Sequence, residues 1–116
     1  MWTKLRPRAN ISADAPAMSL RKNGQIAWNL GLHEALGEPQ AVEVLYDPQT
    51  RRLAVRKADD AGDAFPVFKA RHQRTWQVNA LGALRVAGAP VGKRTQRARA
   101  TEFEPGIWGI ELEAEP

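Results

Sequence analysis

The chain contains no cysteine, only two histidines and only eight aromatic residues. The absence of cysteine excludes disulfides, thiolate metal sites and cysteine nucleophiles. No apolar run approaches the roughly 18 residues of a membrane span, and the first residues lack the apolar stretch of a secretory signal. We therefore expect a cytoplasmic protein that has no membrane-spanning segment.

Large apolar side chains are also scarce. Leu, Ile, Val and Phe total 24 of 116 residues, whereas alanine alone contributes 19. This content is close to the level at which disorder becomes common. The length suits one domain with a small core, and a homodimer that buries more surface is compatible with such a composition.

Positive charge is unevenly distributed along the chain. Residues 1–100 hold all 17 Lys and Arg but only eight of the 13 Asp and Glu, a net charge of +9. Residues 101–116 hold the other five acidic residues and no base. A basic body is typical of proteins that bind polyanions, because Lys and Arg release counterions from phosphates. The alternative interpretation of this charge is a solvated, arginine-rich surface that binds no polyanion.

The segment 17–57 predicts two strands, a helix and two further strands. The dipeptide Asn23-Gly24 predicts a tight hairpin turn, since both residues can take a positive φ. Asn29 is the expected N-cap of the helix, and Gly37 its expected end. A second strand pair, joined by a proline-containing turn, completes the unit.

The segment 65–116 repeats this order. Its predicted elements are strands over 65–70 and 75–78, a helix capped by Asn79, and strands over 95–103 and 107–113. The helical stretches 30–39 and 81–90 share Leu, Gly, Gly and Pro at one offset of 51 residues. We interpret this as an internal ββαββ repeat within one domain. The alternative is a chance match between two short helices that end in glycine.

Residues outside the repeats form an arm and a linker. Residues 1–16 predict a basic arm with Lys4, Arg6 and Arg8 at alternate positions. Residues 58–64 are small and acidic, which is typical of a linker. Asp59, Asp60 and Asp63 lie there without the spacing of a calcium loop, so we expect no metal site.

The first repeat resembles the swapped-hairpin domain of the AbrB/MazE family of looped-hinge transcription regulators and antitoxins. The resemblance rests on residues 20–26 around the turn, residues 32–37 at the helix, and Val42-Glu43-Val44 before Asp47. It implies a mainly β protein with two short helices, in which the repeats form a pseudo-twofold swapped-hairpin β-barrel. The family commonly has Arg after the turn glycine and Pro before the helix, where this sequence has Gln25 and Asn29.

Three groups of basic residues are candidates for nucleic-acid contact, since guanidinium groups bind phosphate through paired donors. Two occupy equivalent turns of the repeats, and the third precedes and enters the strand over 95–103. With polar neighbours, the candidate residues are Arg21, Lys22 and Gln25; Lys69, Arg71, His72 and Arg74; and Lys93, Arg94, Arg97 and Arg99. A solvated turn is the competing interpretation.

The sequence gives little support for catalysis. His33 and His72 lack the neighbours of a catalytic triad, and we expect each on the surface or facing phosphate. No cofactor-binding motif is present. Trp28, Trp76 and Trp108 are expected to pack in the core, and base stacking is the alternative.

These features predict a non-catalytic protein that binds double-stranded DNA, as a transcription or chromatin regulator. Two alternatives remain open. One is a protein-interaction module, such as an antitoxin-like or assembly subunit, whose acidic C-terminal strand meets a basic partner. The other is a single-stranded nucleic-acid binder.

Overall fold

The computed structural model describes residues 1–3, 15–58, 62–71 and 74–113. Several residues singled out above lie outside the described residues, namely Lys4, Arg6, Arg8, Asp59, Asp60 and His72. No helix in the described ranges is long and apolar enough to cross a membrane.

Within these ranges the fold is mainly β with two short helices, as the sequence predicts. In chain order the elements are β1 (Ala17–Leu20), β2 (Gln25–Asn29), α1 (Leu30–Ala35), β3 (Ala41–Asp47), β4 (Arg52–Lys57), β5 (Phe65–Pro66), β6 (Phe68–Lys69), β7 (Thr75–Asn79), α2 (Leu81–Ala87), β8 (Gln96–Arg99), β9 (Thr101–Glu104) and β10 (Ile107–Glu111).

The strands form two antiparallel five-stranded sheets. Sheet 1 has the order β6-β7-β2-β1-β8, and sheet 2 has the order β5-β3-β4-β10-β9. Four ladders join the two halves of the chain: β2 with β7, β1 with β8, β3 with β5, and β4 with β10. The described ladders form two separate sheets and no closed barrel, so the mainly β architecture with two helices is the part of the fold prediction that is confirmed.

Two strands that the sequence predicts as continuous are divided between the sheets. The strand predicted over 65–70 is β5 in sheet 2 and β6 in sheet 1, and Val67 separates them. The strand predicted over 95–103 is β8 in sheet 1 and β9 in sheet 2, and Ala100 separates them. Each segment changes its partner strand at the break, which sequence periodicity alone does not reveal.

The turn between β1 and β2 is closed by the pair Arg21 and Gln25, which leaves a loop of three residues and not two. The N–H of Arg21 donates to the carbonyl of Gln25 at 2.9 Å, and the N–H of Gly24 donates to the carbonyl of Arg21 at 2.9 Å. Only Gly24 has a positive φ in this turn, at +85°. A left-handed glycine at the third position is typical of three-residue hairpins. Asn23 does not use the positive φ that it can adopt.

Asn29 caps α1, as predicted, and also anchors the start of β1. Its Oδ1 accepts the N–H of Leu32 at 3.1 Å, which is the N-cap contact, and the N–H of Ala17 at 3.1 Å. Its Nδ2 donates to the carbonyl of Ala15 at 2.7 Å. One amide side chain thus joins the helix to the segment that enters sheet 1.

The corresponding prediction for α2 is wrong. The N-cap of α2 is Ala80, which provides no side-chain hydrogen bond, and Asn79 lies at the end of β7 opposite Gln25. The N–H of Ala80 donates to the carbonyl of Gly24 at 3.1 Å. Because β7 continues its pairing up to the helix, Asn79 is part of the ladder and does not cap the helix.

This difference between two asparagines gives a stability prediction. We expect Asn29→Ala to lower the free energy of unfolding by about 1–2 kcal/mol, because the cap and the contact with β1 are lost together. Asn79→Ala is the matched control, and we expect its effect to be within about 0.5 kcal/mol. Urea unfolding of both variants measures the difference, and equal losses would contradict the assigned cap.

One buried cluster gathers side chains from both sheets and both helices. Its largest fully buried member is Trp28 on β2, and it includes Leu32 of α1 and Leu84 of α2. Trp76 and Trp108 are partly buried and pack against this cluster. The three tryptophans are therefore core residues, as predicted.

Candidate nucleic-acid interface

Members of two of the three basic groups predicted from the sequence meet on sheet 1. Strand β8 pairs with β1, which places Arg97 opposite Ser19 and Arg99 opposite Ala17. Arg21 directly follows β1. The long-range pairing therefore brings arginines that are about 75 residues apart in the sequence onto neighbouring strands.

Strand alternation assigns these arginines to the outer face of sheet 1. Met18 and Leu20 are buried in the core, so Ser19 and Arg21 point to the opposite side. Residues paired directly across strands share a face. The outer face of sheet 1 therefore comprises Ala17, Ser19, Arg21, Gln25, Ala27, Asn29, Phe68, Thr75, Gln77, Asn79, Arg97 and Arg99.

Two neutral amides hold Arg21 in place on this face. Its Nη1 donates to Oε1 of Gln25 at 2.9 Å and to Oε1 of Gln77 at 3.1 Å. Gln25 belongs to β2 and Gln77 to β7, so the guanidinium reaches across the centre of the sheet. Because both acceptors are uncharged, the positive charge of Arg21 is not neutralised by either of them.

The two sheets differ sharply in acidic residues. The strands of sheet 1 contain Lys69, Arg97 and Arg99 and no Asp or Glu. The strands of sheet 2 contain five acidic residues and three basic ones, namely Glu43, Asp47, Glu102, Glu104 and Glu111, and Arg52, Arg56 and Lys57. Sheet 1 is therefore the surface more suited to a polyanion.

A shallow depression lies in the outer face of sheet 1. Its volume is about 210 Å³. Small side chains are prominent in its lining, which consists of Ala17, Ser19, Arg21, Ala27, Trp28, Asn29, Thr75 and Arg97. The small residues let a bound group approach the backbone of the sheet, with Arg21 and Arg97 beside it.

The basic group around the β6–β7 turn lies at one end of sheet 1. Lys69 is exposed, with its Nζ 5.7 Å from the centre of the Trp76 ring. Arg71 and Arg74 are exposed in the turn, whereas His72 is not described. Because β2 and β7 are antiparallel, this turn and the β1–β2 turn lie at opposite ends of the pair. Lys22 is exposed at the other end.

The third predicted group is split by the fold. Arg97 and Arg99 lie on the outer face of sheet 1, but Arg94 precedes β8 and forms an ion pair with Glu113. The N–H of Glu113 also donates to Oε1 of Gln96 at 2.6 Å. The acidic C-terminal segment therefore contacts the basic group at Arg94. Lys93 also has an interaction partner.

His33 occupies a different environment from the one predicted. It is 7% exposed and stacks on Trp76, with ring centres 4.2 Å apart and planes 9° apart. The Nε1–H of Trp28 donates to its Nδ1 at 3.2 Å. The expectation of a surface or phosphate-facing His33 is therefore wrong, because α1 turns this side chain towards the two indoles. Burial lowers the pKa of His33, and Glu38 and Glu34 partly oppose that shift.

The lowered pKa of His33 predicts a loss of stability in acid. The unfolded chain takes up a proton near the ordinary histidine pKa of 6.5, whereas the folded protein resists protonation until a lower pH. Stability from this group is therefore fully present above 6.5 and falls as the pH drops below that value. Urea unfolding at about pH 8 and about pH 5.5 measures the change.

His33→Asn is the control for this pH dependence, because its amide oxygen accepts the Trp28 N–H but does not titrate in this range. We expect the variant to lose less stability than the wild type between the two pH values. An equal loss in both proteins would assign the pH dependence to other groups.

The sequence did not identify Ser19, Thr75 and Gln77 as members of the interface. The signal for Ser19 is the alternation of Met18, Ser19 and Leu20, which places the serine on the face opposite the core. Thr75 and Gln77 alternate in the same way with Trp76 and Val78. Which face of β7 adjoins Arg21 depends on the pairing of β2 with β7, which the sequence alone does not specify.

Among the described residues, no group of three or more His, Asp or Glu side chains is placed to hold a metal ion. Comparisons of the chain with protein-family models, with curated proteins and with solved structures found no match.

Proposed function

We propose that the protein binds nucleic acid, and double-stranded DNA in particular, through the outer face of sheet 1. The observation that supports this most strongly is the distribution of charge between the sheets. The strands of sheet 1 carry no carboxylate, while Arg21, Arg97 and Arg99 lie on its outer face.

The chemistry of these arginines suits phosphate. Neither the Arg97 nor the Arg99 side chain makes a hydrogen bond or ion pair with another residue in the described ranges. By contrast, Nη2 of Arg56 on sheet 2 forms an ion pair with Oε2 of Glu43 at a distance of 2.7 Å. A guanidinium presents two parallel N–H donors to phosphate oxygens, and each such contact releases counterions from the nucleic acid. Sheet 1 therefore offers unneutralised arginines to a phosphate backbone.

A duplex fits this face better than a single strand. Single-strand binding relies on aromatic side chains on which bases stack. Trp28 is buried, and Trp76 and Trp108 are packed against the core. Phe68 is the exposed aromatic residue on the outer face, at the edge strand β6, whereas the centre of the face consists of amides and small residues. Such a surface suits backbone contacts and base-edge hydrogen bonds.

We also propose that the two halves of the chain are interleaved hairpins of the AbrB/MazE type. Strand β1 of the first half pairs with β8 of the second, and β3 of the first pairs with β5 of the second. Each half thus pairs one of its strands with the other half, as a swapped-hairpin pseudo-dimer within one chain requires. This arrangement supports a role as a non-catalytic transcription or chromatin regulator.

Binding of a fluorescently labelled duplex, followed by anisotropy as salt is raised from about 50 to 200 mM, tests the proposed function. We expect the logarithm of the affinity to fall linearly with the logarithm of salt. The slope should be about −0.9 for each phosphate contacted. A single strand of the same length should bind more weakly. No detectable binding to either at low salt would overturn the proposal.

The acidic β9–β10 hairpin favours a second candidate function, in which this hairpin docks on a basic protein partner. Glu102, Glu104 and Glu111 lie on these two strands, which contain no basic residue. An antitoxin-like or assembly subunit fits this charge. Neutralising the three residues to Gln should abolish such an interaction and leave duplex binding intact, as measured by pull-down and anisotropy.

A further inference from the structure

We infer that the depression in the outer face of sheet 1 is a phosphate site. In nucleic-acid binding it seats one phosphate of the backbone, and in this respect the inference rests on the proposed function. The depression has a floor of small side chains on β1 and β2, with Arg21 and Arg97 beside it. Two guanidinium groups and nearby hydroxyls form a donor set that suits the oxygens of a single phosphoryl group.

Hydrogen-bond donors around the depression are available. The guanidinium of Arg97 and the hydroxyls of Ser19 and Thr75 have no hydrogen-bond partner within the described ranges. Nη1 of Arg21 donates to the two glutamines, and the Nε and Nη2 edge of its guanidinium remains available to a ligand. That edge carries two parallel N–H donors, the geometry that binds two phosphate oxygens at once.

The way in which Arg21 is held points to an anionic ligand. A carboxylate would fix an arginine equally well, as Glu43 fixes Arg56 on sheet 2, but it would also neutralise the charge. Here Gln25 and Gln77 orient Arg21 without an opposing charge. Because side-chain order is achieved before binding, less rotamer entropy is lost when the ligand arrives. The arrangement is therefore pre-organised and still cationic.

Phosphate in this site has two sources, a backbone diester and a free phosphate or monoester. Both present anionic oxygens to the same donors. The free dianion carries more charge, whereas the diester is attached to a chain that also meets Arg99 and the turns. Separate titrations with inorganic phosphate and with a short duplex distinguish the two sources.

The test uses the full chain with amide and arginine Nε signals followed by NMR. Inorganic phosphate should cause saturable shifts at Ser19, Ala27 and the Arg97 Nε, and chloride at matched ionic strength should not. Phosphate should also compete with the duplex. Equal shifts with chloride, or shifts spread over all surface arginines, would overturn the inference.

Gln77→Glu sharpens the test, because it keeps the size of the side chain and places a carboxylate on Arg21. We expect a loss of phosphate and duplex affinity of about tenfold or more, the scale of one charge-assisted hydrogen bond. Gln49→Glu makes the same charge change in the exposed β3–β4 turn and should have little effect. Equal effects of the two substitutions would also overturn the inference.

The two proposals fail in different ways. If the duplex binds through the three arginines but phosphate causes no saturable shift, the phosphate site is refuted and the proposed function stands. If phosphate binds and responds to Gln77→Glu but no duplex or single strand binds at low salt, the proposed function is refuted. In that case the site takes a free phosphate or monoester.

Discussion

Replacing Gly24 by alanine should lower the free energy of unfolding by about 2–5 kcal/mol. Gly24 has a φ of +85°, which costs an L-residue with a Cβ roughly 1–2 kcal/mol. An added Cβ would also meet Cβ of Leu81 and lie 2.6 Å from its Cα. Relieving that overlap moves the turn or the start of α2, at a cost of about 1–3 kcal/mol.

The consequence extends beyond the turn. Leu81 is the first residue of α2, and the N–H of Ala80 donates to the carbonyl of Gly24. The first hairpin of the chain therefore rests directly on the helix of the second half. Moving either one disturbs the pairing of β2 with β7 at the centre of sheet 1.

Gly88→Ala is the matched control, measured by urea unfolding at the same pH. Gly88 also has a positive φ, at +77°, but an added Cβ there meets nothing within 4 Å. We expect only the backbone cost of roughly 1–2 kcal/mol. Equal losses in the two variants would show that the close approach of Gly24 to Leu81 adds nothing to the cost of the substitution.

The second large effect is on binding. Simultaneous replacement of Arg21, Arg97 and Arg99 by alanine should reduce the affinity for a duplex by about 100-fold or more at low salt. The salt slope should also become shallower by about 0.9 for each phosphate contact that is lost. All three side chains lie on the surface of a sheet whose core residues are unchanged, so circular dichroism should remain that of the wild type.

Single substitutions separate the members of the third basic group. Arg97→Ala should weaken binding by about tenfold, because the Arg97 guanidinium has no partner among the described residues and the residue lines the depression. Arg94→Ala should have a smaller effect, because Arg94 is already paired with Glu113. Anisotropy titrations of both variants at one salt concentration give the comparison. A larger loss for Arg94→Ala would place the contact surface outside sheet 1.

Local features of the fold could be predicted from the sequence. The hairpin at Gly24 and the Asn29 cap depend on a few neighbouring residues whose conformational preferences are strong. The prediction that Asn79 caps α2 was wrong, because Asn79 pairs with Gln25 of β2, far away in the sequence, and remains part of the strand. The conformational preferences of neighbouring residues do not show whether a residue will cap a helix or pair with a distant strand.

The candidate interface was only partly predictable for the same reason. Arg21, Arg97 and Arg99 were identified by residue type, but their meeting on one face depends on the β1–β8 ladder. Closeness in the sequence placed Arg94 in one group with Arg97, and the fold gives the two side chains different environments. His33 was misplaced because its contacts with Trp28 and Trp76 come from two different strands.

Whether the outer face of sheet 1 is the binding surface is tested by the duplex affinities of two triple variants of equal charge, measured at one low salt concentration. One lacks Arg21, Arg97 and Arg99 on sheet 1, and the other lacks Arg52, Arg56 and Lys57 on sheet 2. Each lowers the formal net charge from +4 to +1. If the outer face of sheet 1 is the binding surface, the first variant loses about 100-fold or more and the second less than about tenfold. Equal losses would show that net charge, and not this face, governs binding.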